Sequence, residues 1–210
     1  MSLSDVGGAK ISCPNAIVPF GASATFSIYL DANAGAVASC NPLSPVSSPV
    51  YNVIDIKITT GNDDARSDSE VDATLTLSNG AQQNFILKPQ NGPDPCDRGQ
   101  NAWNNWETCD QSFDLSSALS VPNAGQFKSI TITLGEHSGG LEGPDNWDIQ
   151  AISVTVSGKG GSPAPLNLLT LGNPPDPSNP NNCYTRLKNN PQNWVLYTFG
   201  GNNPSNGCPQ

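Results

Sequence analysis

The chain has 210 residues, of which 36% are hydrophobic and 13% charged, with 20 Gly and 19 Pro. Such a composition argues against a helical bundle and for many short strands joined by turns. The formal net charge of −9 repels phosphate backbones, which speaks against nucleic acid as a partner; it also repels an anionic membrane unless a cation bridges the two.

Residues 1–48 open with MSLSDVGGAK, which lacks the basic start and apolar core of a signal peptide. They contain one alternating run, ATFSIYL (24–30), with Phe26, Ile28 and Leu30 on one face of a predicted strand. NPLSPVSSPV (41–50) is too rich in Pro and Ser for a central strand and reads as a connector. Residues 49–157 carry the densest strand signal. In VIDIKIT, Ile54, Ile56 and Ile58 alternate with Asp55 and Lys57; in VDATLTL, Val71, Ala73, Leu75 and Leu77 alternate with Asp72, Thr74 and Thr76. SNG (78–80) is a turn that lets QNFIL (83–87) pair back as a hairpin. SITITL (129–134) and ISVTV (152–156) repeat the pattern, and DLSSALS (114–120) is long enough for one helical turn only. This alternation marks half-buried antiparallel strands of a two-sheet sandwich. Residues 158–210 form a Pro/Asn-rich extension with two late strands, YTRLK and WVLYTF. Neither terminal segment has enough alternating apolar residues to fold alone, so both are expected to add strands or covering loops to one core. No apolar run has the length of a membrane-spanning helix.

Six cysteines stand at Cys13, Cys40, Cys96, Cys109, Cys183 and Cys208. None forms a Cys-x-x-Cys pair and the sole histidine is His137, so a zinc site is disfavoured. The nearest-neighbour pairing, 13–40, 96–109 and 183–208, places each bridge within its own stretch of chain, and disulfides imply an exported protein. The alternative is six reduced, buried thiols.

The middle region has a specific order of pieces. A strand leads to Gly61-Asn62-Asp63-Asp64, then Asp68-Ser69-Glu70-Val71 opens the next strand; much later comes SITITLGEHSGGLEGPDNWDIQAISVTV (129–156). This order resembles the PLAT family (polycystin, lipoxygenase, alpha-toxin). Asp68 and Val71 fall on the Asp and Val of its first motif, and Trp147, Ile149 and Ile152 fall near the Trp and apolar residues of its second. Arg66 stands where the family has Gly, Gln150 where a carboxylate is common, and the loop 89–109 is longer than usual. The resemblance, over about residues 50–157, implies an antiparallel sandwich of about eight strands. It further implies a non-catalytic interaction module that engages a lipid surface or a protein, in several members with calcium held in the loops at one end.

The acidic window TTGNDDARSDSEVD (59–72) admits three readings. Calcium takes about six to eight oxygens, and Asp63, Asp64 and Asp68 would converge with Glu136, Asp145 and Asp148 if the 135–148 loop lies at the same end. The spacing is not that of an EF-hand, and magnesium, which demands a tight octahedron, fits less well. The other readings are a solvated acidic rim and a site for a different partner. For glycan cleavage, Glu107 beside Trp103 and Trp106 is the best candidate acid, since aromatic walls would desolvate it, but nothing picks out its partner, and no Gly-x-Ser-x-Gly elbow occurs. WNNWETC (103–109) leaves two uses open for Trp103 and Trp106. They either plug the end of the core or, with Glu107, form an exposed aromatic platform for sugar rings or lipid headgroups. Trp147 and Trp194 read as packing. The expectation is therefore a secreted, calcium-binding, non-enzymatic module for a lipid surface or protein, with a lectin-like carbohydrate-binding module as the alternative.

Overall fold

The computed structural model describes residues 2–3, 11–12, 49–90, 96, 103–135, 145–172, 183–188 and 193–203. The expected strand at 24–30, the cysteines Cys13, Cys40 and Cys208, and Glu136 and His137 lie outside the described residues. The chain divides into two compact units, 1–48 and 49–210. In the first, β1 (Ser2–Leu3) and β2 (Ile11–Ser12) pair antiparallel.

The second unit is an antiparallel β-sandwich built on the alternation in the sequence. β3 (Val53–Thr60), β4 (Glu70–Leu77), β5 (Gln82–Lys88), β7 (Phe127–Gly135) and β8 (Asn146–Ser157) lie where period-two patterns predict strands. β6 (Thr108–Asp114) and β9 (Leu166–Gly172) were not foreseen. β10 (Thr185–Lys188) and β11 (Trp194–Thr198) correspond to the two late strands. One sheet has the order β10-β8-β3-β6, with β9 also on β8; the other runs β11-β7-β4-β5. Long β8 is lined by β3 along one side. Its other side is shared by β10 over Asn146–Ile149 and β9 over Ala151–Val156. Between Asp114 and Val121 the chain makes the single helical turn, Ser120 N–H donating to Ser116 O at 2.9 Å.

The inner faces form one core. Ile54, Ile56 and Ile58 of β3 and Ile152, Val154 and Val156 of β8 are buried in the same apolar cluster as Ala73, Leu75, Ile130 and Ile132 of the facing sheet. Each such Val, Leu or Ile side chain contributes about 1.5–3 kcal/mol through removal from water. Along one flank, glutamines join the edge strands of the two sheets. Gln111 Nε2 of β6 donates to Leu87 O of β5 at 2.7 Å, and Gln83 Nε2 of β5 donates to Asp114 O at 3.0 Å. These amides tie main-chain carbonyls of one strand to the side chains of the other, in a part-buried and an exposed setting respectively.

Candidate functional site

The end of the sandwich where β3 leaves Thr60 gathers three stretches: the acidic turn 61–69, residues 103–107, and the start of β8. Backbone bonds hold them together. Gly61 N–H donates to Asp148 O at 2.7 Å and Asp148 N–H to Asp63 O at 3.1 Å, while Ala65 and Trp103 exchange bonds at 3.0 and 3.1 Å. Trp106 N–H donates to Gly61 O at 3.1 Å. A glycine is required at 61, because a Cβ built there would lie 2.7 Å from Cβ of Asp148. Beneath the turn, fully buried Lys88 donates from Nζ to Ser69 O at 2.5 Å and to Ser67 O at 3.3 Å, so a cation holds the chain of the acidic segment from inside.

The carboxylates of the turn are answered by arginines. Arg186 on β10 lies opposite Asp148 in register; its Nε is 2.9 Å from Asp148 Oδ1, and its Nη2 donates to Asp63 Oδ2. One guanidinium thus joins two of the candidate calcium ligands. Asp145 accepts from Ser69 Oγ at 2.6 Å and from Arg66 N–H at 3.0 Å, and Arg66 Nε lies 3.2 Å from its other oxygen. Arg66, at the position where the PLAT pattern has glycine, therefore supplies both a main-chain and a side-chain donor. Burial pushes the Asp148 carboxyl up to about 6, against the pull of Arg186 and with a further upward push from Asp63. Burial also raises Asp145, opposed by its Ser69 and Arg66 hydrogen bonds and the Arg66 charge, while Asp64 adds to the rise.

A cation between Asp63 and Asp148 would stand against the Arg186 guanidinium already there. Asp64 lies close enough to be felt by Asp145, and Asp64 and Asp68 are both partly exposed. Among the described residues no group of three acidic, histidine or cysteine side chains is placed to hold a metal.

The tryptophan loop separates into two roles. Trp103 is 1% exposed and packs on buried Trp147, ring centroids 5.4 Å apart, so it plugs the core and offers no stacking face. Trp147 Nε1 donates to Thr60 Oγ1 at 3.3 Å, as befits a core residue. Trp106 is partly exposed, with φ 66°, a left-handed conformation that costs a bulky residue about 1–2 kcal/mol. Glu107 turns back on its own loop, accepting from Asn104 N–H at 3.1 Å and Asn104 Nδ2 at 3.4 Å, and so serves the turn. Cys96 and Cys109 form the expected disulfide at the base of this loop. Cys183 is also disulfide-bonded, and among the described residues no cysteine is reduced.

Trp194 departs from its expected packing role. It is 47% exposed, on the outer face of β11 together with Leu196 at 41%. Across the same sheet, on β5, Ile86 is 52% exposed. The register lays this face out in rows. Trp194 pairs with Thr133, Thr133 with Asp72 and Asp72 with Ile86; Leu196 pairs with Thr131, Thr131 with Thr74 and Thr74 with Asn84; Thr198 pairs with Ser129, Ser129 with Thr76 and Thr76 with Gln82. Cross-strand bonds stiffen the β4–β5 side, Thr74 Oγ1 donating to Asn84 Oδ1 at 3.0 Å and Gln82 Nε2 to Thr76 Oγ1 at 3.2 Å. Burial of Asp72 and the nearby Glu70 raise its carboxyl above the ordinary range.

No protein-family model matches the chain, and no curated protein sequence matches it. Among solved structures, the alpha toxin from Clostridium absonum is similar over 72% of this chain and 32% of its own, at 14% identity and a TM-score of 0.45. A lipoxygenase variant in complex with arachidonate is similar over 71% and 16%, at 11% identity and a TM-score of 0.42. A calcium-dependent 11R-lipoxygenase is similar over 71% and 17%, at 14% identity and a TM-score of 0.30. The chain thus spans a third or less of the length of these proteins.

Proposed function

We propose that this chain is an exported, non-catalytic β-sandwich module, and that it engages its partner through the outer face of the β11-β7-β4-β5 sheet. The observation that carries this reading is the grouping of Ile86, Trp194 and Leu196 on one face of one sheet. Among the described residues they are three of the four large hydrophobic side chains that are exposed, the fourth being Leu166 on β9. Isolated exposed apolar residues are ordinary, whereas a set sharing one face marks an interaction surface. Export is supported by the Cys96–Cys109 bridge, since such bonds persist in oxidising compartments. A binding rather than catalytic role is supported by Glu107, the candidate acid, being engaged with its own turn. The acidic end serves in this reading as a structural clasp, with Arg66 and Arg186 supplying the charge that calcium was expected to supply.

The reading is tested by comparing two double variants of the full chain, Trp194→Ala with Leu196→Ser and Asp64→Asn with Asp68→Asn. Each is assayed on immobilised polysaccharide, on lipid vesicles and for self-association. Loss of the native interaction in the first variant and its retention in the second is expected. The reverse result would move the contact surface to the acidic end.

A further inference from the structure

Resting on that reading of the sheet face, we infer that its occupant is an uncharged polysaccharide. Eleven of the twelve positions in the three cross-strand rows are uncharged, Asp72 being the exception, and five of them are threonine: Thr74, Thr76, Thr131, Thr133 and Thr198. Glu70 lies beyond one end of the rows and Lys128, at the irregularity between Thr76 and Leu77, beyond the other. A face with two carboxylates toward one end and a single lysine at the other has no basic cluster to attract anionic lipid headgroups.

The polar groups offer hydrogen bonds in the pattern a sugar polymer presents. Asn84 uses Oδ1 on Thr74 and one amide donor on Asp72, which leaves it the second; Gln82 uses Nε2 on Thr76 and keeps Oε1 as an acceptor. The hydroxyls of Thr131 and Thr133, in the middle of the sheet and partly exposed, make no hydrogen bond to another described residue, so both can donate and accept. Neighbouring strands lie roughly 4.8 Å apart, and alternate residues along a strand roughly 6.8 Å. The face is thus a lattice of hydroxyl and amide groups, bordered on β11 by an indole ring and a leucine. Sugar rings carry apolar C–H faces and a rim of hydroxyls. The C–H faces stack on Trp194 and Leu196 while the hydroxyls meet Thr131, Thr133 and Asn84. A purely apolar partner would leave those polar groups without bonds, at a cost in affinity.

Binding of the full chain is measured on microcrystalline cellulose, chitin and soluble mixed-linkage β-glucan, on vesicles of phosphatidylcholine with and without phosphatidylserine, and by sedimentation. The variants are Trp194→Ala and the isosteric pair Thr131→Val with Thr133→Val, each confirmed as folded by an unchanged unfolding midpoint. At least one polysaccharide is expected to bind, with affinity at least tenfold weaker in Trp194→Ala and at least threefold weaker in the valine pair. Binding that strengthens in the valine pair would overturn the glycan assignment, because an apolar occupant profits from losing hydroxyls. No polysaccharide retention, combined with vesicle binding or self-association that Trp194→Ala abolishes, would overturn the glycan and keep the surface. Polysaccharide binding untouched by Trp194→Ala would overturn the surface itself.

Discussion

The acidic end and the outer face of the four-stranded sheet differ in how their side chains are used. At the acidic end, Asp63, Asp148 and Asp145 are engaged by Arg186 and Arg66, and Lys88 holds the main chain below. On the sheet face, Trp194, Leu196, Thr131 and Thr133 project outward from rigid strands. Charge density drew attention to the first region, yet much of that charge is consumed in joining three loops to one another. The second region is nearly neutral and reads in sequence as ordinary strand, yet it holds most of the exposed large apolar groups described.

The widest separation is between two tryptophans. Trp103→Ala is expected to cost about 3–5 kcal/mol, since it leaves a cavity against Trp147. Trp194→Ala is expected to stay within about 0.5 kcal/mol of the native protein, as surface substitutions do. Denaturant titration of both measures the contrast, and equal losses would mean that Trp194 is a core residue after all. Next in size is Arg186→Gln, which leaves Asp63 and Asp148 facing each other without their cation. A loss of about 2–3 kcal/mol at pH 7.5 is expected, shrinking at pH 5 as Asp148 takes up a proton. A loss of the same size at both pH values would show that charge is not its origin.

The native protein itself should respond to pH through the same group. A carboxyl whose folded-state pKa stands above its unfolded value binds its proton more tightly when folded. Asp148 therefore adds stability as pH falls from 7.5 through about 6 toward 4, and that stability is lost again as pH rises through about 6. Its contribution between pH 7.5 and 5 is about 1 kcal/mol. The difference between the native protein and Asp148→Asn across this range isolates it, and a flat difference would contradict the raised value. The smallest expected effect is that of calcium. At millimolar concentration it should move the unfolding midpoint by less than about 1 °C. A rise of several degrees that Asp64→Asn with Asp68→Asn removes would restore the acidic end as a metal site.

Which elements could be read in advance follows from how each strand meets the core. β3, β4, β7 and β8 were legible because most inward positions are aliphatic or aromatic and most outward ones polar, so the period of two shows directly, while β5, whose Ile86 faces outward, was placed by the turn before it. β6 was hidden because its inward side carries Cys109, Gln111 and Phe113, and Gln111 earns its place by a bond to Leu87 O rather than by hydrophobicity. The carboxylates of the acidic end were visible as a cluster. Their chief partner was not, because Arg186 lies 123 residues beyond Asp63 and no local pattern links the two. Trp194 was misjudged for a different reason. WVLYT is apolar at nearly every position, so alternation cannot say which set turns inward; Val195 and Tyr197 do, and Trp194 and Leu196 are left outside.

Gly61 sets a limit on how this molecule can change. The pairs at the acidic end are interchangeable in principle, since a carboxylate and a guanidinium could trade places across β8 and β10 through two compensating substitutions. The glycine has no such exchange partner, because what it yields to is the Cβ of Asp148, present in every residue except another glycine. A single methyl group at position 61 would act as a wedge between β3 and β8 without altering any charge. Among descendants of this sequence, the identities of the ion pairs are free to drift while the hydrogen atom at 61 stays.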